Sequence, residues 1–145
     1  MPDNTRLVLA FDFGLKRIGL ASGDTLTRTA APLKTLASVA GAPDWGGIAI
    51  QIKALQPAQL VVGEPYNADG SVSAMTATVR AFAAELLRRF AIPIALVDER
   101  WSSLDAQARL RDARASGERK RRVRHEDLDS RAAAVILERW FERQT

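Results

Sequence analysis

LVLAFDFGLKRIGLASGD, residues 7–24, is the stretch that decides the fold. It opens with an apolar, β-prone run that ends at Asp12, and a second β-prone run begins at Ile18. Two such runs joined by a short segment containing glycine predict a β-hairpin. Lys16 and Arg17 fall near the predicted tip of this hairpin. The hairpin therefore brings one carboxylate and two basic side chains to the same end of a sheet.

The rest of the chain adds one more early strand and then alternates helices with strands. A Thr-rich run at 27–36 contains Pro32, which predicts a strand at a sheet edge. Apolar spacing and capping residues predict helices at 48–55, 72–90, about 102–115 and 127–143, and short apolar runs predict strands at 60–63 and 94–97. This order predicts an α/β fold with a mixed five-stranded sheet flanked by helices.

Composition limits the classes of protein that the chain can belong to. Its 145 residues are 47% hydrophobic and 26% charged, which predicts a single globular domain over 1–145. There is no cysteine, and His125 is the one histidine, so thiolate metal sites, Cys nucleophiles and His-rich sites are excluded. No apolar run approaches the ~20 residues that cross a bilayer, and the N-terminus lacks a secretory pattern. We therefore expect a cytoplasmic protein with no membrane partner.

Positive charge is concentrated in one segment. Lys and Arg total 21 against 17 for Asp and Glu, a net charge of +4. Five of the six residues at 119–124 are basic, namely Arg119, Lys120, Arg121, Arg122 and Arg124. Such a run is either a solvated loop or a contact for an anion, of which nucleic acid is the usual one.

Acidic side chains fall at the ends of predicted elements. Asp12 ends the first strand, Asp98 and Glu99 end the last strand, and Asp129 opens the last helix. Each has a simpler explanation, as turn chemistry, an ion-paired loop or a charge on the helix dipole. Parallel α/β sheets, however, place their sites at the carboxyl ends of strands, where these groups would meet.

Helical geometry turns Asp129 toward the protein. Asp129, Ala133, Ile136 and Trp140 share one face of the last predicted helix, and the rest of that face is apolar. A lone carboxylate facing the interior needs a partner, which a cation could provide.

Carboxylates gathered in a small space favour hard divalent ions. They repel one another unless such ions lie between them, and oxygen ligands without His or Cys favour Mg²⁺ or Mn²⁺. A pair of these ions suits phosphodiester hydrolysis, and a basic loop suits a polyanionic substrate.

Four segments in order resemble the YqgF/RuvX family of Holliday junction resolvase-like and pre-16S rRNA nucleases. They are DFGLKRIGLA at 12–21, VGEP with NADGS over 62–71, DERWSS at 98–103 and DSRAAAVIL at 129–137. Any one of these segments alone is weak evidence for the resemblance, but the four together, in this order and in a chain of this length, are specific to the family.

The resemblance implies an RNase H-like fold and a metal-dependent nuclease of structured nucleic acid, with a role in maturing the 5′ end of 16S rRNA. Asp12, Glu99 and Asp129 match the acidic triad of the family, and Asp98 is a neighbouring alternative to Glu99. The basic candidates for phosphate contact are Lys16, Arg17, Arg100 and the five bases of 119–124. The chain departs from the family at Glu64, where an apolar residue is usual, and at Trp101, where Leu is usual.

Three other functions remain open from the sequence. The chain could be a Holliday junction resolvase in DNA recombination, or a non-catalytic nucleic-acid-binding module in rRNA processing or transcription. Phosphate transfer from ATP is less well supported, because actin-like ATPases need two such domains. The sequence separates neither RNA from DNA as substrate nor a monomer from a homodimer.

Overall fold

Strands and helices follow one another in the predicted alternation. The computed structural model describes residues 6–98 and 125–144, with side chains in the second range from residue 128. Its elements are β1 Leu7–Phe13, β2 Arg17–Asp24, β3 Thr29–Val39, β4 Ala42–Pro43, α1 Trp45–Leu55, β5 Gln59–Glu64, α2 Ala74–Phe90, β6 Ile94–Asp98 and α3 His125–Glu142. The helix predicted at about 102–115 lies outside the described residues.

The six strands form one mixed sheet in the order β4-β3-β2-β1-β5-β6. β1 pairs antiparallel with β2, and it pairs parallel with β5, which in turn pairs parallel with β6. The five predicted strands are all present, and the two-residue β4 adds a sixth after a turn with positive φ at Ala40 and Gly41. β4 pairs only with the end of β3, so at Pro32, which is the register partner of Ala21 in β2, the other side of β3 is open, as the missing N–H of proline favours.

The hairpin is confirmed, with strands longer than predicted. Leu7 pairs with Asp24 at one end, and Phe13 pairs with Ile18 at the other. Asp12 therefore does not end β1 but lies one residue inside it, because pairing with β2 carries the strand through Phe13.

Local capping explains where the first two helices begin. The Asp44 carboxylate accepts a hydrogen bond from the Gly47 N–H at 2.9 Å at the start of α1. Ser73 and Thr76 form a reciprocal capping box at the start of α2, which is why that helix begins two residues later than predicted.

Each face of the sheet is covered by different helices. One core contains Leu9, Phe11 and Phe13 of β1 with residues of α1 and α2. The other core contains Val8 and Ala10 of β1 with residues of α3. Since side chains alternate along a strand, Asp12 belongs to the face that α3 covers. Within the described ranges, no helix is both long and apolar enough to cross a membrane.

Candidate active site

Asp12 of β1 and Gly19 of β2 lie side by side in the hairpin, as Cα partners in the antiparallel register. Asp12 is half-buried, whereas Gly19 is fully covered. Directly opposed residues of an antiparallel pair have Cα atoms about 4.5–5.5 Å apart. Gly19 is therefore the residue of β2 that lies directly beside Asp12.

The first turns of α3 lie directly on Gly19. A Cβ atom built on this glycine would be 2.1 Å from the backbone carbonyl oxygen of Asp129 and 2.9 Å from the backbone nitrogen of Ser130. Only a residue without a side chain permits this approach of helix to strand. Asp12 and Asp129, which are 117 positions apart by their residue numbers (129 − 12), thus flank the same glycine.

Arg17 provides the partner that the inward-facing Asp129 needs. Its Nε donates a hydrogen bond to Asp129 Oδ2 at 2.7 Å. Arg17 lies two residues before Gly19 on β2, so both belong to the same face of the strand. The Arg17 side chain is 34% exposed and that of Asp129 is 25% exposed, so the ion pair is reached by solvent.

Side chains alternate between the two faces of the sheet along β6, and this places Asp98 on a different face from Asp12 and Asp129. Val97 lies in the core under α3, while Ile94 packs against the core on the other face. Asp98 has the same parity as Ile94, and its register partner is Glu64 of β5. It therefore belongs to the face opposite Asp12. Glu99, the other candidate, lies outside the described residues.

Glu64 is the centre of a polar network that the sequence did not predict. It is only 8% exposed, and its Oε1 accepts a hydrogen bond from the Tyr66 hydroxyl at 2.6 Å. Arg80 Nε of α2 donates to Oε2 at 2.5 Å, and its Nη2 is 3.2 Å from the Tyr66 hydroxyl. Hydrogen bonding to Glu64 raises the pKa of Arg80. The one sign of this network in the sequence was that Glu64 stands where the family that the chain resembles usually has an apolar residue. Nothing in the sequence indicated that Arg80 would be its partner.

Of the remaining predicted site residues, one is exposed and the others lie outside the described residues. Lys16 is exposed at the hairpin end. Trp45 and Trp140 are partly buried against the two faces of the sheet. The predicted residues that lie outside the described ranges are Glu99, Arg100, Arg119, Lys120, Arg121, Arg122 and Arg124.

Asp12 and Asp129 present hard oxygen donors of the kind that Mg²⁺ and Mn²⁺ prefer. Within residues 6–98 and 125–144, no three His, Cys, Asp or Glu side chains group closely enough to hold a metal. A third acid would have to come from elsewhere in the chain, as Glu99 would. The donor chemistry of the described pair fits a divalent ion, with Arg17 already bound to one oxygen of Asp129.

The arrangement of sheet and helices is that of the RuvC-type resolvases. *Thermus thermophilus* RuvC solved in complex with a Holliday junction substrate superposes with a TM-score of 0.57 at 14% identity, covering 96% of this chain and 95% of that one. A second *T. thermophilus* RuvC structure gives a TM-score of 0.53 at 14% identity, covering 95% of each chain. At this identity the likeness defines the fold, and it confirms the RNase H-like α/β class.

The particular family follows from the sequence comparison: the chain belongs to the RuvX Holliday junction resolvase family, whose model matches residues 6–143. A relative from Coxiella burnetii is 40% identical over 144 residues, covering 99% of this chain and 98% of its own. Relatives from Edwardsiella ictaluri and Serratia proteamaculans are 43% and 44% identical, covering 97% and 96% of this chain and 98% and 96% of their own. All three carry the name "Putative pre-16S rRNA nuclease". The resemblance stated from the four segments is confirmed.

Proposed function

We propose that the protein is a metal-dependent nuclease that hydrolyses phosphodiester bonds in structured RNA, acting in 5′-end maturation of 16S rRNA. The observation that carries the proposal is the convergence of Asp12 and Asp129 on Gly19. Asp12 and Asp129, from opposite ends of the chain, both adjoin Gly19 near the carboxyl end of a central strand, where α/β sheets place their sites. The names of the relatives support the substrate.

Asp12 and Asp129, with Glu99 as the third acid, would hold Mg²⁺ or Mn²⁺. When bound, such an ion supplies Lewis-acid polarisation of a phosphoryl oxygen and lowers the pKa of water. The chain's own part is to orient these carboxylates on rigid elements: Asp12 within the paired hairpin, and Asp129 through the seating of α3 on Gly19.

Basic side chains near the acids would bind the substrate backbone. Lys16 is exposed beside the site, and Arg100 follows the third acid directly. The five bases of 119–124 would extend this contact along the polyanion. Phosphate contacts of this kind make binding fall steeply as salt concentration rises.

Junction-specific DNA cleavage is the second candidate. It is favoured by the RuvC-like fold, since the neighbouring structure was solved with a Holliday junction substrate. Cutting two strands symmetrically would require a two-fold pair of sites, and hence a homodimer rather than a monomer. A binding module without cleavage would use the same basic residues. In each case we propose one domain over 1–145 that works in the cytoplasm.

A cleavage assay tests the proposal. The purified protein would be incubated with labelled pre-16S rRNA fragments and four-way DNA junctions, in Mg²⁺, Mn²⁺ or EDTA. We expect metal-dependent cutting of the RNA, lost by more than about 100-fold in Asp12→Asn and Asp129→Asn. Glu142→Gln, which neutralises an exposed acid at the far end of α3, is the matched control and should cut normally.

Each other outcome of the assay points to a different function. Preferential cutting of the junctions would establish the resolvase instead. Salt-dependent binding that EDTA does not change, with no cleavage in any metal, would establish the binding module. Full activity in Asp12→Asn would contradict the proposed site.

A further inference from the structure

The ion pair between Arg17 and Asp129 places a positive charge at the proposed metal site. The guanidinium binds Asp129 through Nε at 2.7 Å, so one of the two carboxylate oxygens already has a cationic partner. The backbone of α3 at Asp129 is held against β2 by its close approach to Gly19. Any divalent ion that uses Asp129 must therefore approach a carboxylate that Arg17 already neutralises.

We propose that Arg17 is an internal counter-cation that competes with the divalent ion for Asp129, a positioning residue that weakens metal binding. This inference rests on the proposed metal-dependent function. It differs from the phosphate contact expected of Arg17 from the sequence, because the partner of the side chain is a carboxylate of the same protein. On metal binding, the guanidinium leaves Asp129 and becomes available to a phosphate of the substrate.

Solvent exposure makes the exchange feasible. Arg17 is 34% exposed and Asp129 is 25% exposed, so the pair is not locked in a dry interior. Partly exposed ion pairs are worth little, since both groups are readily rehydrated. Arg17 stands at the first position of β2, where its side chain can move without disturbing the paired residues that follow. The free energy lost when this contact breaks is therefore small compared with the free energy gained when oxygen donors bind a dication.

Competition for Asp129 sets the expected size of the effect. A dication that displaces the guanidinium has to replace its interaction with Asp129, and unit charges a few ångströms apart interact by about 1 kcal/mol in water-like surroundings. Removing Arg17 should therefore tighten metal binding by about three- to tenfold, given that 1.4 kcal/mol is a factor of ten. The difference should shrink as ionic strength rises, because salt screens exposed charges.

Binding of Mn²⁺ to chelator-treated protein tests the inference directly, by calorimetry or by loss of the free-ion electron paramagnetic resonance signal. We expect Arg17→Gln to bind Mn²⁺ about three- to tenfold more tightly than the wild type at low salt. Lys53→Gln removes the same charge from an exposed position of α1, which packs on the other face of the sheet, and should change the affinity by less than about twofold. Arg17→Lys keeps the charge and should stay near the wild type. Equal or weaker binding by Arg17→Gln would overturn the inference.

Thermal unfolding gives a second readout that is independent of catalysis. Metal that binds the folded state stabilises it by an amount that grows with the logarithm of its affinity, so the same excess of Mn²⁺ should raise the midpoint more in Arg17→Gln than in the wild type. If Arg17→Gln fails to fold, Arg17→Met and Arg17→Lys allow the same comparison. An equal rise in both proteins would count against competition.

The same titrations separate this inference from the proposed function. If wild-type protein binds Mn²⁺, and Asp12→Asn and Asp129→Asn lose it, the proposed metal site stands and Arg17→Gln alone decides the inference. If neither the wild type nor Arg17→Gln binds Mn²⁺, the proposed metal dependence fails, and the competition fails with it.

Discussion

The backbone carbonyl oxygen of Asp129 lies 2.1 Å from the position that a Cβ atom of Gly19 would occupy. This contact joins the middle of β2 to the beginning of α3. It sets the height of the helix above the sheet, and so the position of the Asp129 carboxylate relative to Asp12. A residue with no functional group of its own thereby determines the geometry of the site.

Replacement of Gly19 by Ala should destabilise the protein by about 3 kcal/mol, because the added methyl group forces α3 away from β2. We also expect reduced Mn²⁺ affinity, since Asp129 moves with the helix. Urea denaturation and metal titration measure the two effects. Gly46→Ala is the control: its Cβ would meet no atom closer than 3.7 Å, and the change should stay within about 1 kcal/mol. A Gly19→Ala protein as stable as Gly46→Ala would contradict this account.

Arg80→Met should lower the urea midpoint more than Glu64→Leu does. Loss of Arg80 leaves a carboxylate that is 8% exposed with Tyr66 as its one remaining partner in the network. Glu64→Leu removes the buried charge itself, so no unpaired carboxylate is left in the core. This variant should lose less than about 1 kcal/mol of unfolding free energy. Equal losses in the two variants would show that the buried charge is not the source of the cost.

Glu85 should make stability depend on pH in the acid range. Hydrogen bonds from Arg88 and Arg89 lower the pKa of its carboxyl from 4.5 to about 2. A lowered pKa in the folded state adds stability above about pH 4.5, and this contribution disappears as pH falls through about 2. The difference in unfolding free energy between the wild type and Glu85→Gln should therefore shrink over that interval. A difference that stays constant from pH 6 to about pH 2 would contradict the assignment.

Ala91→Gly should stabilise the protein by about 0.5–1 kcal/mol. Ala91 caps the C-terminus of α2 with φ of 55°, a left-handed conformation that glycine adopts without steric cost. Ala84→Gly, at an exposed position inside the same helix, should destabilise by about 1 kcal/mol. Thermal unfolding of both variants checks the opposite signs, and destabilisation by Ala91→Gly would refute the strain argument.

Local signals were sufficient for most of the fold. The two apolar runs of 7–24 predicted the hairpin, and Pro32 predicted a strand with an open side, which β3 has because β4 pairs only with its end. These features depend on neighbouring residues, whose backbone preferences and capping bonds act over a few positions. Element ends were less well predicted, since strand pairing extended β1 through Phe13 and the capping box delayed α2 to Ala74.

Contacts between distant parts of the chain needed the structure. The ion pair of Arg17 with Asp129 spans 112 positions, and that of Arg80 with Glu64 joins a strand to a helix. Strand alternation and register also assign Asp98 to the face opposite Asp12, which the sequence did not predict, while Glu99 lies outside the described residues. No local pattern encodes which face of a sheet a distant helix will cover.

The sequence by itself determined most of the elements, the α/β class, the family and the candidate acids. Each of these can be predicted from short-range periodicity or from motifs. Only the tertiary structure decided that Asp12 and Asp129 both lie next to Gly19 and that Arg17 binds Asp129. The physical reason is that these relations arise from the packing of α3 on the sheet. Packing depends on the whole chain at once, whereas a hairpin, a cap or a motif depends on a few residues.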